Sequence, residues 1–310
     1  MSHAMTSMRL TPKREPQAES RLIELLRSEP PRRNARSRRG PDPAAGPDAI
    51  VAEGLGKRYP NGIEAVRGIS LRVGTGEIYG VLGPNGAGKS TTIGILGTIV
   101  RPTSGRATVA GFDVVAAAND VRRNIGFAMQ EAGLDELATG HELLVLQGRL
   151  HGLSRREAAR RADVLLELVG LESAGNERVG GYSGGMRRRV DLASALIHLP
   201  PILFLDEPTE GLDPRARAAI WETLERLNAA LELTVLLTTH YMAEAERLCA
   251  RIGIIDRGLV VVEGTPAELK GAVGGPDATL EDVYLRFTGR DFAEKETRLT
   301  EITTNGREAA

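Results

Sequence analysis

The sequence predicts an α/β fold in which a mostly parallel sheet carries a phosphate-binding loop. Three observations predict it. Short, wholly apolar stretches such as Ile202–Leu205 and Ile252–Ile255 alternate with helical ones in the second half of the chain. That is the pattern of parallel strands covered on both faces. The stretch Gly83-Pro84-Asn85-Gly86-Ala87-Gly88-Lys89-Ser90-Thr91 satisfies G-x-x-x-x-G-K-[ST] in full. Finally, an apolar strand over Glu77–Leu82 precedes that loop and a helix over Ser90–Thr98 follows it, so the positive helix end faces the loop.

The elements follow in order. Residues 1 to 48 hold Arg32, Arg33, Arg36, Arg38 and Arg39, then Pro41, Pro43 and Pro47, and read as a disordered basic extension. Within it, Glu19–Ser28 has the spacing of one short amphipathic helix. Ile50–Val73, with turns at Tyr59-Pro60-Asn61-Gly62 and Gly74-Thr75-Gly76, reads as a small antiparallel β region. Ala107–Val109 and Ile125–Met129 are further strands. Residues 135 to about 180 read as an inserted helical region, where Ser154-Arg155-Arg156-Glu157 is a capping box and Gly170 a stop. A helix opens at Ser183-Gly184-Gly185 and runs through Arg187–Leu199, and Asp213-Pro214 opens another with Asp as N-cap and Pro at the first position. Thr234–Thr238 is a strand, Met242–Ala250 a helix, and Ile252–Ile255 pairs with Leu259–Val262 around Arg257-Gly258. Thr265-Pro266-Ala267-Glu268 caps a final helix, and residues 290–310 form a charged tail.

Bulk properties narrow the function. A chain of 310 residues with net charge −1 buries a sizeable core and is no general nucleic-acid or membrane-surface binder. The one cysteine, Cys249, excludes an internal disulfide and fits a reducing compartment, with packing as its expected role. The apolar run Ala195–Leu205 is broken by His198, Pro200 and Pro201, so no stretch approaches a membrane span, and the polar N-terminus lacks a signal-peptide core. The expectation is a cytoplasmic protein.

The chemistry sits in two places. Glycines in the loop turn backbone N–H groups toward an anion, Lys89 reaches the outer phosphates, and Ser90 is placed to hold Mg²⁺. The strand Ile202–Leu205 then ends in Asp206-Glu207. Asp206 is placed to share that metal, and Glu207, one residue on, to polarise water as general base.

With these two sites, the chain resembles the nucleotide-binding subunit of ABC transporters, from about Ala49 to Gly289. The motifs fall in the family's order: Gly83–Thr91, Gln130, Tyr182-Ser183-Gly184-Gly185-Met186, Asp206-Glu207, Gly211-Leu212-Asp213-Pro214 and His240. The resemblance implies a P-loop NTPase (RecA-like) core with an antiparallel β subdomain and an inserted α-helical subdomain, binding ATP and Mg²⁺. Tyr59 resembles the aromatic that stacks on adenine, with Gly83, Asn85, Gly86, Gly88, Lys89, Ser90 and Thr91 around the phosphates. Gln130 resembles the glutamine that touches Mg²⁺ or the lytic water, and His240 the histidine that orients the water at the γ-phosphate. Ser183, Gly184, Gly185 and Asp213 would face the γ-phosphate held by a second, identical subunit. A separately encoded membrane permease would be driven by the pair, holding this chain at the inner face of the membrane.

Two departures stand out. Tyr182 and Met186 replace the outer Leu and Gln of the commoner signature, and methionine lacks the amide's hydrogen bonds. Glu210 stands where Ser or Thr is commoner. The Tyr182–Arg189 string and Leu280–Gly289 resemble the drug- and antibiotic-resistance branch of exporters. An ATPase acting on nucleic acid or ribosomes, an importer subunit and a small-molecule kinase are the rival readings. One phosphate loop and no sustained heptads argue against the first, and nothing in a kinase explains Ser183–Gly185 with His240.

Overall fold

The computed structural model describes residues 48–130, 133–274 and 277–289. The expected basic extension, with its amphipathic helix, and the charged tail lie outside the described residues, apart from Asp48.

Two sheets form the frame. β1 (Asp48–Arg58), β2 (Glu64–Gly74), β4 (Ser104–Val109) and β5 (Phe112–Asp113) make an antiparallel sheet in the order β2-β1-β4-β5. β3 (Ile78–Leu82), β6 (Ile125–Ala128), β7 (Ile202–Asp206), β8 (Thr234–Thr239), β9 (Arg251–Asp256) and β10 (Leu259–Gly264) make the second, in the order β10-β9-β3-β8-β7-β6. Every pairing in it is parallel except β9 with β10, so the expected mostly parallel sheet is present.

The apolar strands are continuous because both faces are covered. Leu203 and Leu205 of β7 join one buried cluster while Ile202 and Phe204 join the other. β3 divides likewise: Ile78 and Leu82 face one way, Tyr79 and Val81 the other. α1 (Lys89–Leu96) packs between the two sheets, touching β2, β4, β7 and β8 and burying Ile93, Ile95 and Leu96. It starts at Lys89 and ends before Thr98, whose φ of 62° is left-handed, so it is shorter than the predicted Ser90–Thr98.

α2 (Ala118–Asn124), absent from the sequence reading, precedes β6. α3 (Gly140–Leu150) and α4 (Arg155–Leu168) occupy the span predicted helical. The predicted capping box at α4 is only half formed. Ser154 Oγ accepts from Glu157 N at 3.2 Å, but the Glu157 carboxylate turns to Arg160 and Arg161, since two guanidinium groups outcompete a backbone N–H. Gly170, with φ 66°, ends α4 as expected.

α5 (Gly184–Leu196) starts at the predicted Ser183–Gly185 opening and ends at Leu196, short of the predicted Leu199. α6 (Pro214–Leu231) has the expected Asp213 cap, whose Oδ1 accepts from Arg215 N and Ala216 N at 2.9 and 3.0 Å. α7 (Met242–Leu248) and α8 (Pro266–Gly271) follow. The latter carries the full Thr265–Glu268 box but is not the last helix. Among the described residues the last is α9 (Leu280–Thr288), capped by Thr279 and burying Leu280, Val283 and Tyr284 against the helical side of the core. Cys249 is buried there too, as expected of a packing residue.

Candidate active site

At the carboxyl ends of β3, β8 and β7 the chain leaves a cavity of about 600 Å³, within the usual range of ligand sites. Its floor is the turn from β3 into α1. Gly83 N–H donates to Thr239 O at 3.2 Å, fixing the loop's start to the neighbouring strand. Gly88 has φ 108°, and a Cβ there would meet Ala65 O at 2.4 Å, so only glycine fits. Asn85, Gly86, Gly88, Lys89, Ser90 and Thr91 line the cavity, with Gln130 and Glu207 across from them.

Lys89 and Glu207 are both buried, at 4% and 5% side-chain exposure, and form an ion pair at 3.0 Å. Lys89 Nζ also donates to Gly83 O at 2.8 Å and Pro84 O at 3.2 Å. The second Glu207 oxygen meets His240 Nδ1 at 2.8 Å. Glu207 itself sits at φ 48°, a left-handed backbone uncommon for a side chain of this size, held by N–H bonds to Thr238 O and Oγ1, both at 3.1 Å. Burial pushes its carboxyl up, but the His240 hydrogen bond and the Lys89 charge outweigh this and bring it from 4.5 down to about 2. His240 is pushed up from 6.5 by its bond to Glu207, against the effect of burial. Glu207 is therefore an ionised acceptor whose basicity rises when either His240 or Lys89 turns to another partner.

This pair gives a pH signature. Its stabilising share is complete between the ordinary values, 4.5 for glutamate and 6.5 for histidine. It is lost as pH falls from 4.5 toward 2 and the carboxylate protonates, and lost again as pH rises above 6.5 through the raised imidazole value. The melting temperature is expected to fall as pH rises above 6.5, and His240→Ala to remove part of that fall. An equal fall in the variant would take this role from the pair.

Asp206 is directed at the loop from the other side. Its Oδ1 accepts from Ser90 Oγ at 3.1 Å and from Thr238 Oγ1. A hydroxyl and a carboxylate oxygen converging at one point are hard donors that fit Mg²⁺. Gln130 reaches the same cavity, but its Nε2 donates to the Glu210 carboxylate. The Glu210 carboxyl is pushed up by burial and then by the Glu207 charge, so the unusual residue before Gly211 joins the cavity's hydrogen-bond network. Tyr59 stands beside the loop, its hydroxyl 3.3 Å from Thr91 Oγ1 and Lys57 Nζ 5.1 Å from its ring centroid.

The remaining predicted residues lie apart from the cavity. Ser183 and Gly184 are exposed at the start of α5, with Ser183 Oγ accepting from Met186 N at 3.3 Å. Gly185 lies against α6, where an added Cβ would be 2.9 Å from Ala216 Cβ. The N-termini of α5 and α6, capped by Ser183 and Asp213, thus stand side by side. The departures at the signature are structural: Tyr182 is buried with its hydroxyl donating to Ala174 O at 2.7 Å, and Met186 packs on the core.

Several residues escaped the sequence reading. Ile63, Glu64, Ala65, Arg67 and Arg257 complete the cavity wall. They lie in or beside the two turns that the sequence marks, yet carry no motif; the β9–β10 turn docks there by Gly258 N–H to Ala87 O and Arg67 N–H to Gly258 O, each 2.8 Å. Glu244 is fully buried in α7 and accepts from Thr209 Oγ1 at 2.7 Å and Trp221 Nε1 at 2.9 Å, tying the loop after Glu207 to α6 and α7.

A parallel sheet with a glycine-turned helix N-terminus at its carboxyl edge, facing a buried lysine and a strand-end Asp-Glu pair, is the architecture of P-loop nucleoside triphosphatases. Within that class, residues 66–210 match the ABC transporter family. The chain is 50% identical over 242 residues to daunorubicin resistance ATP-binding protein DrrA3 of Streptomyces coeruleorubidus, covering 78% of this chain and 75% of that one. It is 48% identical over 247 residues to doxorubicin resistance ATP-binding protein DrrA of Mycobacterium tuberculosis, covering 79% and 72%. Among solved structures, the ATP-binding cassette MJ0796, a dimer bound to ADP and Pi in a post-hydrolysis state, superposes with a TM-score of 0.65 at 30% identity over 70% of this chain and 98% of that one. The chain belongs to the ABC transporter ATP-binding proteins, and it is an ATPase.

Proposed function

We propose that this chain powers an exporter of drugs, antibiotics or similar amphipathic small molecules by pairing with a second copy and driving a separate membrane permease. The observation that carries the reading is the exposed pair of helix N-termini at Ser183 and Asp213, outside the cavity lined by Asn85, Gly86, Gly88, Lys89, Ser90 and Thr91. Such an edge offers N–H groups and a hydroxyl to an anion. It does not line its own chain's cavity, so a partner's nucleotide is the fitting ligand. The dimeric MJ0796 cassette and the resistance proteins named above support the same reading. No helix among the described residues is long and apolar enough to cross a membrane, so transport would require the permease, which would hold this chain at the inner membrane face.

The residues divide the work as follows. Tyr59 presents a ring to adenine, and the Gly83–Gly88 backbone surrounds the phosphates. Ser90 and Asp206, with Gln130 nearby, would hold Mg²⁺, which neutralises phosphate charge. Lys89 exchanges Glu207 for the outer phosphates, and that exchange releases Glu207 to accept a proton from water. His240 keeps Glu207 oriented through its 2.8 Å bond and would orient the attacking water. Ser183–Gly185 of the partner closes the site, and hydrolysis removes the anion that bridges the two chains.

Tagged chain recovered from detergent-solubilised membranes is expected to bring down one multi-span membrane protein that raises ATP turnover several-fold. Recovery instead with RNA, DNA or ribosomes, in a salt-dependent manner, would replace the transport reading with the nucleic-acid one.

A further inference from the structure

α5 is exposed at its first residues and buried one turn later. Arg188, with 10% of its side chain exposed, shares one guanidinium among four acceptors on three segments. Nε donates to Pro208 O at 2.8 Å and Nη2 to Asp206 O at 3.0 Å. Nη1 donates to Met129 O and to Asp191 Oδ2, the latter at 3.1 Å. Met129 immediately precedes Gln130, and Asp206 and Pro208 flank Glu207 on either side. The backbone of the cavity glutamine and the backbone around the catalytic carboxylate are thus fastened to one point on α5. Asp191, one turn along the helix, holds the guanidinium from its own side.

The chemistry suits arginine and no other residue. Its planar fork carries five donors in fixed directions and stays charged when buried. Lysine offers a point charge on a flexible stem and cannot span two carbonyls of one segment and a third from another. Three of the four acceptors are main-chain carbonyls, so the clasp depends on where the chain runs and not on which side chains it bears.

We propose that Arg188 is a positioning residue that sets Glu207 and Gln130 in register with the N-terminus of α5. Resting on the shared-site reading, a phosphate drawn to Ser183–Gly185 on one face of α5 is then felt, through Arg188, at the hydrolytic groups of the same chain on the other. Neither Arg188 nor any of its four hydrogen-bond partners lines the cavity. Its removal therefore alters the placement of the groups that act in turnover and spares those that hold the nucleotide.

The test measures kcat, KM and the dissociation constant of a fluorescent ATP analogue for Arg188→Lys and Arg188→Ala, well below each variant's melting temperature. Both are expected to bind within about threefold of the parent and to lose about tenfold or more in kcat, because displacements near 1 Å at a reacting group cost that much. Arg188→Lys keeps a charge beside Asp191 and guards against a fold lost in Arg188→Ala. A kcat within about twofold of the parent in Arg188→Lys, or a loss of binding in step with kcat, overturns the proposal. ATP-driven dimerisation, measured in a Glu207→Gln chain with Arg188 intact, separates the two ideas. If that chain stays monomeric, the shared site fails. If it dimerises and the Arg188 variants behave as the parent, only the positioning role fails.

Discussion

Glu207→Gln is expected to lower ATP turnover by at least about a hundredfold while leaving ATP binding in place, and to make the chain accumulate as an ATP-bound dimer. Glutamine preserves the shape and the hydrogen bond with His240, but it has no charge to accept a proton. Lys89 loses its ion pair, at 3.0 Å, yet keeps the carbonyls of Gly83 and Pro84. A lysine freed from a carboxylate is a stronger magnet for phosphate, so affinity for ATP should rise and not fall. Steady-state hydrolysis and size-exclusion chromatography with ATP measure the two halves of this expectation. Turnover near that of the parent would take Glu207 out of the catalytic role. Lost nucleotide binding would mean instead that the Lys89–Glu207 pair holds the loop in shape.

Ser183→Arg is the second large effect. The exposed hydroxyl caps α5 through Met186 N, and an arginine there removes the cap, about 1 kcal/mol, and adds bulk and charge to the edge offered to a partner. Turnover is expected to fall tenfold or more, with ATP affinity of the monomer unchanged, since Ser183 does not line its own cavity. Two controls separate the causes. Ser183→Thr keeps the cap and should stay active. Ser183→Asp also keeps the cap but opposes a phosphate with a negative charge, so it should be inactive at normal stability. Affinity collapsing in step with activity in Ser183→Arg would mean that the site is not shared.

The phosphate loop was legible because its chemistry is imposed by the backbone. Gly88 must be glycine for φ 108° and for the approach of Ala65 O, and Lys89 and Ser90 follow at fixed offsets. β7 was legible since a strand buried on both faces has to be apolar throughout and its end is marked by Asp206-Glu207. The Asp213 and Thr265 caps were legible as local rules that held. The Ser154 box half failed because Glu157 had better partners within its own helix. α9 and α2 were missed: short helices anchored by tertiary packing carry weak periodicity.

What the sequence by itself determined is the set of chemical parts and their order along the chain: a phosphate loop, an Asp-Glu strand end, a capped helix at Ser183, a histidine after β8. The tertiary structure alone decided which of them touch. It paired Lys89 with Glu207 and His240, engaged Glu210 with Gln130, left Ser183 and Asp213 exposed beside one another, and gave Arg188 the carbonyls of three segments. The physical reason is that electrostatic pairing depends on distance through space, and main-chain acceptors are identical at every residue, so no spacing of side chains announces them.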